Sequence, residues 1–315
     1  MAEPLVSIAI PTYNRVAGLR RAVASALAQD YPCLEVVVSD NASTDETRAF
    51  CEELVRRDRR VRYVRQPVNV GPVGNFVHAL EQCVGEYFMW LADDDWIDAD
   101  YVRRCMEVLR RPGYSLVAGS TQYYRQGRWE FEAGPLDLEQ EDPSERVLAY
   151  YRQVEDNGVF YGLARRADRL ANPFPRTIGG DWLAVARLAA AGKVATVRAT
   201  SVHRAMEGVS DGMESLVRAY KLRGRQARNP YGLIIRSIVA DIMWGSPSFH
   251  ALSMGRRVHL ARRAAREIHA RYYLRVQRHR SQLRRGKVVG RLREVPLARQ
   301  VWHVVRPLLL RSRAS

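Results

Sequence analysis

Asp93, Asp94 and Asp95 stand side by side directly after the run Tyr87-Phe-Met-Trp-Leu-Ala92. Adjacent carboxylates repel one another, so ionising all of them is costly unless a cation sits among them. Hard divalent ions such as Mg2+ and Mn2+ take carboxylate oxygens and share them with substrate phosphates. The triplet therefore reads as a metal–diphosphate site. The plainer reading is a solvated acidic turn capping a helix that starts near Asp98.

Whatever its chemistry, the triplet must be positioned by the elements around it. Tyr87–Ala92 follows Gly85 and is short, apolar and rich in aromatics, the pattern of a buried strand. The carboxylates then fall at its C-terminal end, where open α/β sheets bind ligands. Upstream, Leu5–Ile10 reads as a strand ended by Pro11, Leu34–Ser39 as a second and Val61–Val64 as a third. Leu19, Ala22, Val23, Ala26 and Leu27 mark one face of an intervening helix; further helices run from Asp45 to Arg57 and from the turn Asn69–Asn75 to Cys83. Such alternation predicts a parallel sheet of βαβ units whose polar loops converge on one edge, so that Asp40 shares a crevice with the triplet. Downstream the pattern gives a helix over Ala99–Leu109, a strand over Ser115–Tyr124, a polar loop over Gly127–Pro143 and a helix over Ser144–Tyr151. A strand-like run follows at Gly158–Ala164, then a helix from Gly179-Gly180-Asp181 through Ala191 and a strand at Val194–Val197.

Four stretches occur in order: Val6-Ser-Ile-Ala-Ile-Pro-Thr-Tyr-Asn-Arg15, Ser39-Asp-Asn-Ala-Ser-Thr-Asp45, Asn69-Val-Gly-Pro-Val-Gly-Asn75 and Leu91-Ala-Asp-Asp-Asp-Trp96. Together they resemble family 2 glycosyltransferases of the GT-A fold, over residues 5–210 and most clearly up to residue 110. The resemblance implies an α/β GT-A domain at 1–215, a Rossmann-like, mostly parallel sheet flanked by helices. Within it, 1–110 is the nucleotide-sugar half and 111–215 the acceptor half; 216–315 is a helical, basic C-terminal extension. It implies an inverting, metal-dependent transfer from a nucleotide sugar to a saccharide or a polyprenyl- or lipid-linked acceptor, in bacterial surface polysaccharide or glycolipid assembly. The expected cofactor is Mn2+ or Mg2+. The expected donor is a UDP-sugar, with GDP- and dTDP-sugars as alternatives.

Roles pass to individual residues on the same basis. Asp95 is the leading direct metal ligand and Asp93 completes a D-x-D pair; an alternative alignment places Asp94-Asp95 at the end of the motif. Asp40 accepts a hydrogen bond from a uracil-like base, or simply caps a turn with Asn41 and Ser43. Pro11 and Tyr13 flank base and ribose, and Asn69, Gly74 and Asn75 approach the donor. The commoner form of that loop carries an arginine where Gly74 stands. Asp181 is the candidate general base, or an N-cap; the commoner Glu-Asp pair is here Gly180-Asp181. His203 completes metal or diphosphate binding, or is structural. A nucleotidyltransferase would need a glycine-rich loop with Lys or Arg after the first strand, and none is present. The reading from another class is an inactive GT-A body that binds an anionic surface through its tail. Asp95, Asp181 and His203 speak for turnover.

Charge is unevenly distributed. Residues 1–255 carry 32 Lys+Arg against 32 Asp+Glu, whereas 256–315 carry 18 against 2, so the whole excess of +16 lies in the last 60 residues. This predicts a neutral body and a basic tail with an anionic partner. Asn229-Pro230 signals a helix start, with Leu233, Ile234, Ile238, Val239, Ile242 and Met243 on one face. Beyond Arg256, Val258, Ala261, Ala265, Ile268, Tyr272 and Val276 recur at helical spacing among arginines. We read 256–315 as lying on an anionic membrane surface with its apolar residues dipping in; no nucleic-acid motif accompanies it. Cys33, Cys51, Cys83 and Cys105 have no CxxC spacing, which speaks against zinc or a redox pair and for buried thiols. No signal-peptide pattern and no uncharged apolar span appear: Tyr231–Trp244 is broken by Arg236 and Asp241. The expected location is cytoplasmic, peripheral on the inner membrane face.

Overall fold

The computed structural model describes residues 3–155, 157–206, 217, 218 and 220–272. Strands β1 (Val6–Thr12), β2 (Leu34–Asp40), β3 (Val61–Arg65) and β4 (Tyr87–Trp90) alternate with helices α1 (Val16–Leu27), α2 (Thr47–Arg57) and α3 (Pro72–Gln82). Next come β5 (Trp96–Ile97), α4 (Tyr101–Leu109), β6 (Tyr114–Arg125), β7 (Arg128–Glu132) and α5 (Pro143–Gln153). A 3-10 turn (Gly158–Tyr161) leads to β8 (Leu163–Arg165), α6 (Arg166–Ala171), α7 (Gly180–Ala191) and β9 (Lys193–Ala205). Helices α8 (Gly224–Arg228) and α9 (Pro230–Ala240) follow, and α10 starts at 254. By internal contacts the chain forms two units, Met1–Glu267 and Ile268–Ser315.

The described strands form one sheet in the order β3-β2-β1-β4-β8-β6-β9-β5, with β7 paired to β6. β1, β2, β3 and β4 run parallel, as do β6 and β9. β5, β7 and β8 pair antiparallel. Every residue of β1, β2 and β4 is buried, as expected of central parallel strands covered on both faces. The chain steps from β1 to β2 and β3 on one side, then returns through α3 to β4 on the other side of β1. That reversal opens a crevice beyond the C-terminal ends of β1 and β4, where the Asp triplet begins.

Local differences from the sequence reading have physical causes. β1 runs through Pro11 to Thr12. In the ladder, Leu91 N donates to Ala9 O and Asn41 N to Thr12 O, so Ala9 and Pro11 face β4 and Thr12 faces β2. Because β4 ends at Trp90, no hydrogen bond is missed where Pro11 lacks its N–H. The Gly158–Ala164 run is no continuous strand: its first half is the 3-10 turn, which stacks Phe160 on Trp90 with ring centroids 5.0 Å apart and planes 8° apart. Gly127–Pro143 contains β7, an exposed strand hairpinned onto β6. β9 does not stop at Val197 but follows β6 as far as Ala205, across an irregularity at Gly119/Ser120. There Gly119 lets Thr200 approach, since a Cβ would lie 2.6 Å from the Thr200 carbonyl oxygen.

The segment after β9 also packs on the sheet domain. Arg187, in the middle of α7, forms a buried bidentate ion pair with Asp241 (Nη2–Oδ1 2.5 Å, Nε–Oδ2 3.1 Å). Ser246 and Ser248 both donate to Asn172 Oδ1. Ile234 and Ile238 of α9 are buried. In the part of α10 up to Glu267, Leu260, Ala261 and Ala264 are buried within the first unit. Arg256 and Arg263 pair with Asp142 and Glu145 at the start of α5. Of the apolar residues expected to face lipid, Ala261 is buried in the first unit and Val258 and Ala265 are half-buried. Val276 and the rest of the expected surface-binding stretch lie outside the described residues. Cys51, Cys83 and Cys105 are buried and all four cysteines are free thiols. Among the described residues no helix is long and apolar enough to cross a membrane.

Candidate active site

The crevice is floored by a polar lattice joining the ends of β1 and β2 to the 69–75 loop. Asn75 Nδ2 donates to the carbonyls of Thr12 (3.2 Å) and Ser39 (2.9 Å), while its Oδ1 accepts from Ser39 Oγ and Gln66 Nε2. Asn41 accepts from Val70 N and donates to Asn69 Oδ1, which also accepts from Gly71 N. Asn69 is exposed and Asn75 buried, and Asn75 ties the loop to the ends of β1 and β2. Gly74 is buried beside the exposed Val70 side chain, whose Cγ2 would lie 2.8 Å from a Cβ and would have to turn aside. Pro11 is buried within β1, whereas Tyr13 is 44% exposed at the crevice edge.

Asp40 is fully buried. Its Oδ1 accepts from Ser43 N at 2.8 Å, and its Oδ2 accepts from Tyr63 Oη at 2.7 Å and lies 3.3 Å from Arg65 Nε. It thus closes the turn, as the plainer reading has it, and also anchors two residues of β3.

The three aspartates divide their work. Asp93 is buried and accepts from Thr12 Oγ1 at 2.8 Å, which ties β1 to the triplet across the crevice. Burial, with Asp94 alongside, pushes its carboxyl up to about 6 against the pull of Thr12 and Arg15. Asp94 is the most open of the three, with 23% of its side chain exposed, and pairs with Arg15 Nη1 at 2.6 Å. Its carbonyl accepts from Arg21, whose guanidinium lies 3.8 Å from the Trp96 ring centroid. Asp95 is 1% exposed; Oδ1 accepts from Ala205 N at 3.0 Å and Oδ2 from Arg204 Nε at 3.2 Å. Burial pushes its carboxyl up to about 7 although Arg204 pulls it down. Gly18 lets α1 reach the triplet, since a Cβ would sit 2.6 Å from Asp93 O.

The cations that offset the triplet's charge in this structure are therefore arginines. Asp95 is held inside the fold by Arg204 and Ala205, and the most exposed carboxylate of the three is that of Asp94. His203 is brought beside the triplet by the β5–β9 pairing, opposite Trp96, on which its ring stacks. Its Nε2 is 2.8 Å from Asp98 Oδ1 and its Nδ1 3.2 Å from Tyr124 Oη, so both ring nitrogens are engaged. Among the described residues no three His, Cys, Asp or Glu side chains converge as a metal cage. Asp93 and Asp94 have the donor chemistry for a hard divalent ion, but for one that completes its shell with a ligand's phosphate oxygens.

Asp181 lies in the first turn of α7, whose N-cap is Gly179 in the left-handed region (φ 73°); Asp181 is therefore not the N-cap. Gly180 has no room for a side chain, since a Cβ would meet Pro175 O at 2.3 Å, which explains why a Glu-Asp pair is not found here. Asp181 Oδ2 accepts from Asn157 Nδ2 at 2.9 Å. Burial raises its pKa, while Asn157, backbone N–H groups and Arg204 oppose the rise. Arg204 lies over the Tyr161 ring at 4.6 Å, and Tyr161 feels the charges of Asp94, Asp95 and Asp181. Triplet and candidate base thus act electrostatically on one Arg–Tyr pair. The sequence reading missed Arg15, Arg21, Arg204 and Asn157 as parts of this site. Arg15 alone had a signal, as the cation closing the polar loop after β1.

Comparison with known proteins identifies the fold and the family. The S. aureus TarS 1-349 structure in complex with UDP-GlcNAc superimposes with a TM-score of 0.61 at 17% identity, covering 84% of this chain and 73% of that one. The mannosyltransferase PcManGT from Pyrobaculum calidifontis, in complex with GDP-Man and Mn2+, gives 0.54 at 16% identity over 98% and 86%. The fold is the GT-A fold. The model of glycosyl transferase family 2 matches residues 7–167, and the chain belongs to that family. A GalNAc(5)-diNAcBac-PP-undecaprenol beta-1,3-glucosyltransferase of Campylobacter jejuni is 30% identical over 165 residues, 52% of this chain and 52% of that protein's length. The chain thus spans about half the length of that relative.

Proposed function

We propose that this chain transfers a sugar from a nucleotide-sugar donor to a saccharide or lipid-linked acceptor with inversion, assisted by Mn2+ or Mg2+. The observation that supports the reading is at Tyr161: Arg204 lies 4.6 Å over its ring, and the charges of Asp94, Asp95 and Asp181 all act on it, where the strand order reverses. The exposed Asp94 and its neighbour Asp93 are suited to hold the cation, which when bound neutralises the departing diphosphate as a Lewis acid. Arg15, freed from the aspartates, turns to the phosphates. Tyr13 lies against the nucleoside, with Asp40 behind it as the support of the loop floor. His203 joins the phosphate side once Tyr124 releases Nδ1. Asp181 takes the proton of the acceptor hydroxyl as that oxygen attacks the anomeric carbon. A single base and a single displacement give inversion. A carboxyl with a raised pKa is the better base for such a proton.

A UDP-sugar is the first donor to test, as in the TarS complex, with a GDP-sugar next, as in PcManGT. A polyprenyl-diphosphate-linked acceptor in bacterial glycan assembly follows the name of the C. jejuni relative. Residues 256–315, with their excess of 16 positive charges, would hold the enzyme to an anionic membrane. The test is a thermal-shift panel of UDP-, GDP- and dTDP-sugars with and without each metal, since ligands of the native state raise its melting temperature. Asp181→Asn should keep the donor-dependent shift and lose transfer. Loss of the shift instead would overturn the assignment.

A further inference from the structure

We propose that Asn157 is a positioning residue for Asp181: its amide holds Oδ2 and, with the backbone N–H groups of Asp181 and Trp182, fixes the carboxylate's rotamer toward the acceptor hydroxyl. The inference rests on the reading of Asp181 as the base. Asn157 is buried and sits in the left-handed region at φ 56°, where asparagine is better tolerated than most residues. Its Nδ2 donates to Asp181 Oδ2 at 2.9 Å, and its Oδ1 accepts from the buried Tyr150 hydroxyl at 2.8 Å. An ionised carboxylate can only accept, so the amide must present its NH2 to Asp181 and its oxygen to Tyr150. Its own carbonyl accepts from Phe160 N, which starts the 3-10 turn. The relay Tyr150–Asn157–Asp181 thereby connects α5 to the first turn of α7 through groups that all have partners.

The chemistry gives this contact a purpose beyond packing. Gly180 leaves Asp181 without a carboxylate beside it in sequence, because any side chain there would meet Pro175. A neutral amide is the side chain that meets the carboxylate instead. It stabilises the charged form, which burial disfavours, without the like-charge repulsion of a second acid. The titratable groups facing Asp181 are Arg204 from β9, Tyr161 from the 3-10 turn and Tyr220. Arg204 favours the charged form, and burial keeps both phenols neutral.

Asn157→Asp tests this, since aspartate keeps the shape and tolerates the left-handed backbone. It sets a second carboxylate against Asp181. The acid limb of kcat/KM against pH should move up by about one pH unit or more, giving roughly a tenfold loss below the limb, with donor KM unchanged. Tyr150→Phe, which frees the amide, should lower kcat several-fold, again without changing donor KM. A 13C NMR titration of the aspartate carboxyls, assigned with Asp181→Asn, should show Asp181 shifting upward in Asn157→Asp without any need for turnover. A folded Asn157→Asp with an unmoved limb and an unmoved Asp181 titration overturns the proposal, as does Tyr150→Phe with wild-type kcat. If the wild type transfers no sugar from any donor, the base reading and the positioning role built on it both fall. An NMR shift in that case would show that the electrostatic coupling exists without the catalysis.

Discussion

Asp95→Ala should damage the fold more than the chemistry. Asp95 is fully enclosed, and its two oxygens hold Arg204 Nε and Ala205 N. Removing one member of a buried pair leaves the other charge uncompensated, typically at about 3–5 kcal/mol. Arg204 keeps its place over the Tyr161 ring and a side-chain exposure of 14%, which argues for the lower end of that range. We expect about 3 kcal/mol, or a fall in Tm of roughly 6–12 °C for a unit of this size. Urea unfolding followed by circular dichroism measures it. The double variant Asp95→Ala/Arg204→Met removes both charges and should recover at least half of the loss, because what destabilises is the stranded cation. If Asp95→Ala is within about 1 kcal/mol of wild type, or the double variant is no better than the single one, the assignment of Asp95 to the interior is wrong. Loss of transfer in a stable Asp95→Ala would then be loss of a ligand.

Three other outcomes follow from the same geometry. Asp94→Asn should change stability by less than about 1 kcal/mol, since its partner Arg15 is a part-exposed ion pair, yet should abolish the metal-dependent thermal shift with donor. Asp93 and Asp95 have folded pKa values of about 6 and about 7, above the ordinary 3.8. The unfolded chain therefore binds fewer protons across this window. Their contribution to stability is present below pH 4 and lost as pH rises through 6 to 7, so denaturant midpoints should fall from pH 5 to pH 7.5, and less steeply in Asp93→Asn. Gly180→Glu, which restores the commoner pair, should unfold or displace α7 by overpacking against Pro175, visible as a lower Tm; wild-type stability would refute the close approach.

The strands and helices of the first half were legible because each is a run of apolar residues bounded by Pro, Gly or Asx turns. Asp93 to Asp95 were legible as chemistry because adjacent carboxylates are seldom neutral to structure. Which of the three faces the crevice was not legible. That depends on Arg204, 109 residues away from Asp95 along the chain, and on the length of β9. The full extent of β9 is hidden because Arg198, Thr200 and Ser201 look like a loop; their polarity belongs to a half-exposed strand. Phe160 has the pattern of a strand residue, yet its ring is fixed by stacking on Trp90, a contact no local pattern encodes. His203 stands out as a residue but not as a ring clasped between Asp98 and Tyr124.

The ion pair between Arg187 and Asp241 sets a practical rule for anyone cutting or grafting this chain. Asp181 and Arg187 share one helix, so whatever steadies the arginine also aims the carboxylate at the helix start. A chain cut at residue 215 would keep every motif of the family and still strand Arg187 in the interior without its acid. Conversely, an exchanged C-terminal segment would need to bring an acid to the same spot before it could serve a new surface or acceptor. The stretch after β9 is thus a splint for α7, and transplanting the sheet domain means carrying residues through at least 249 with it.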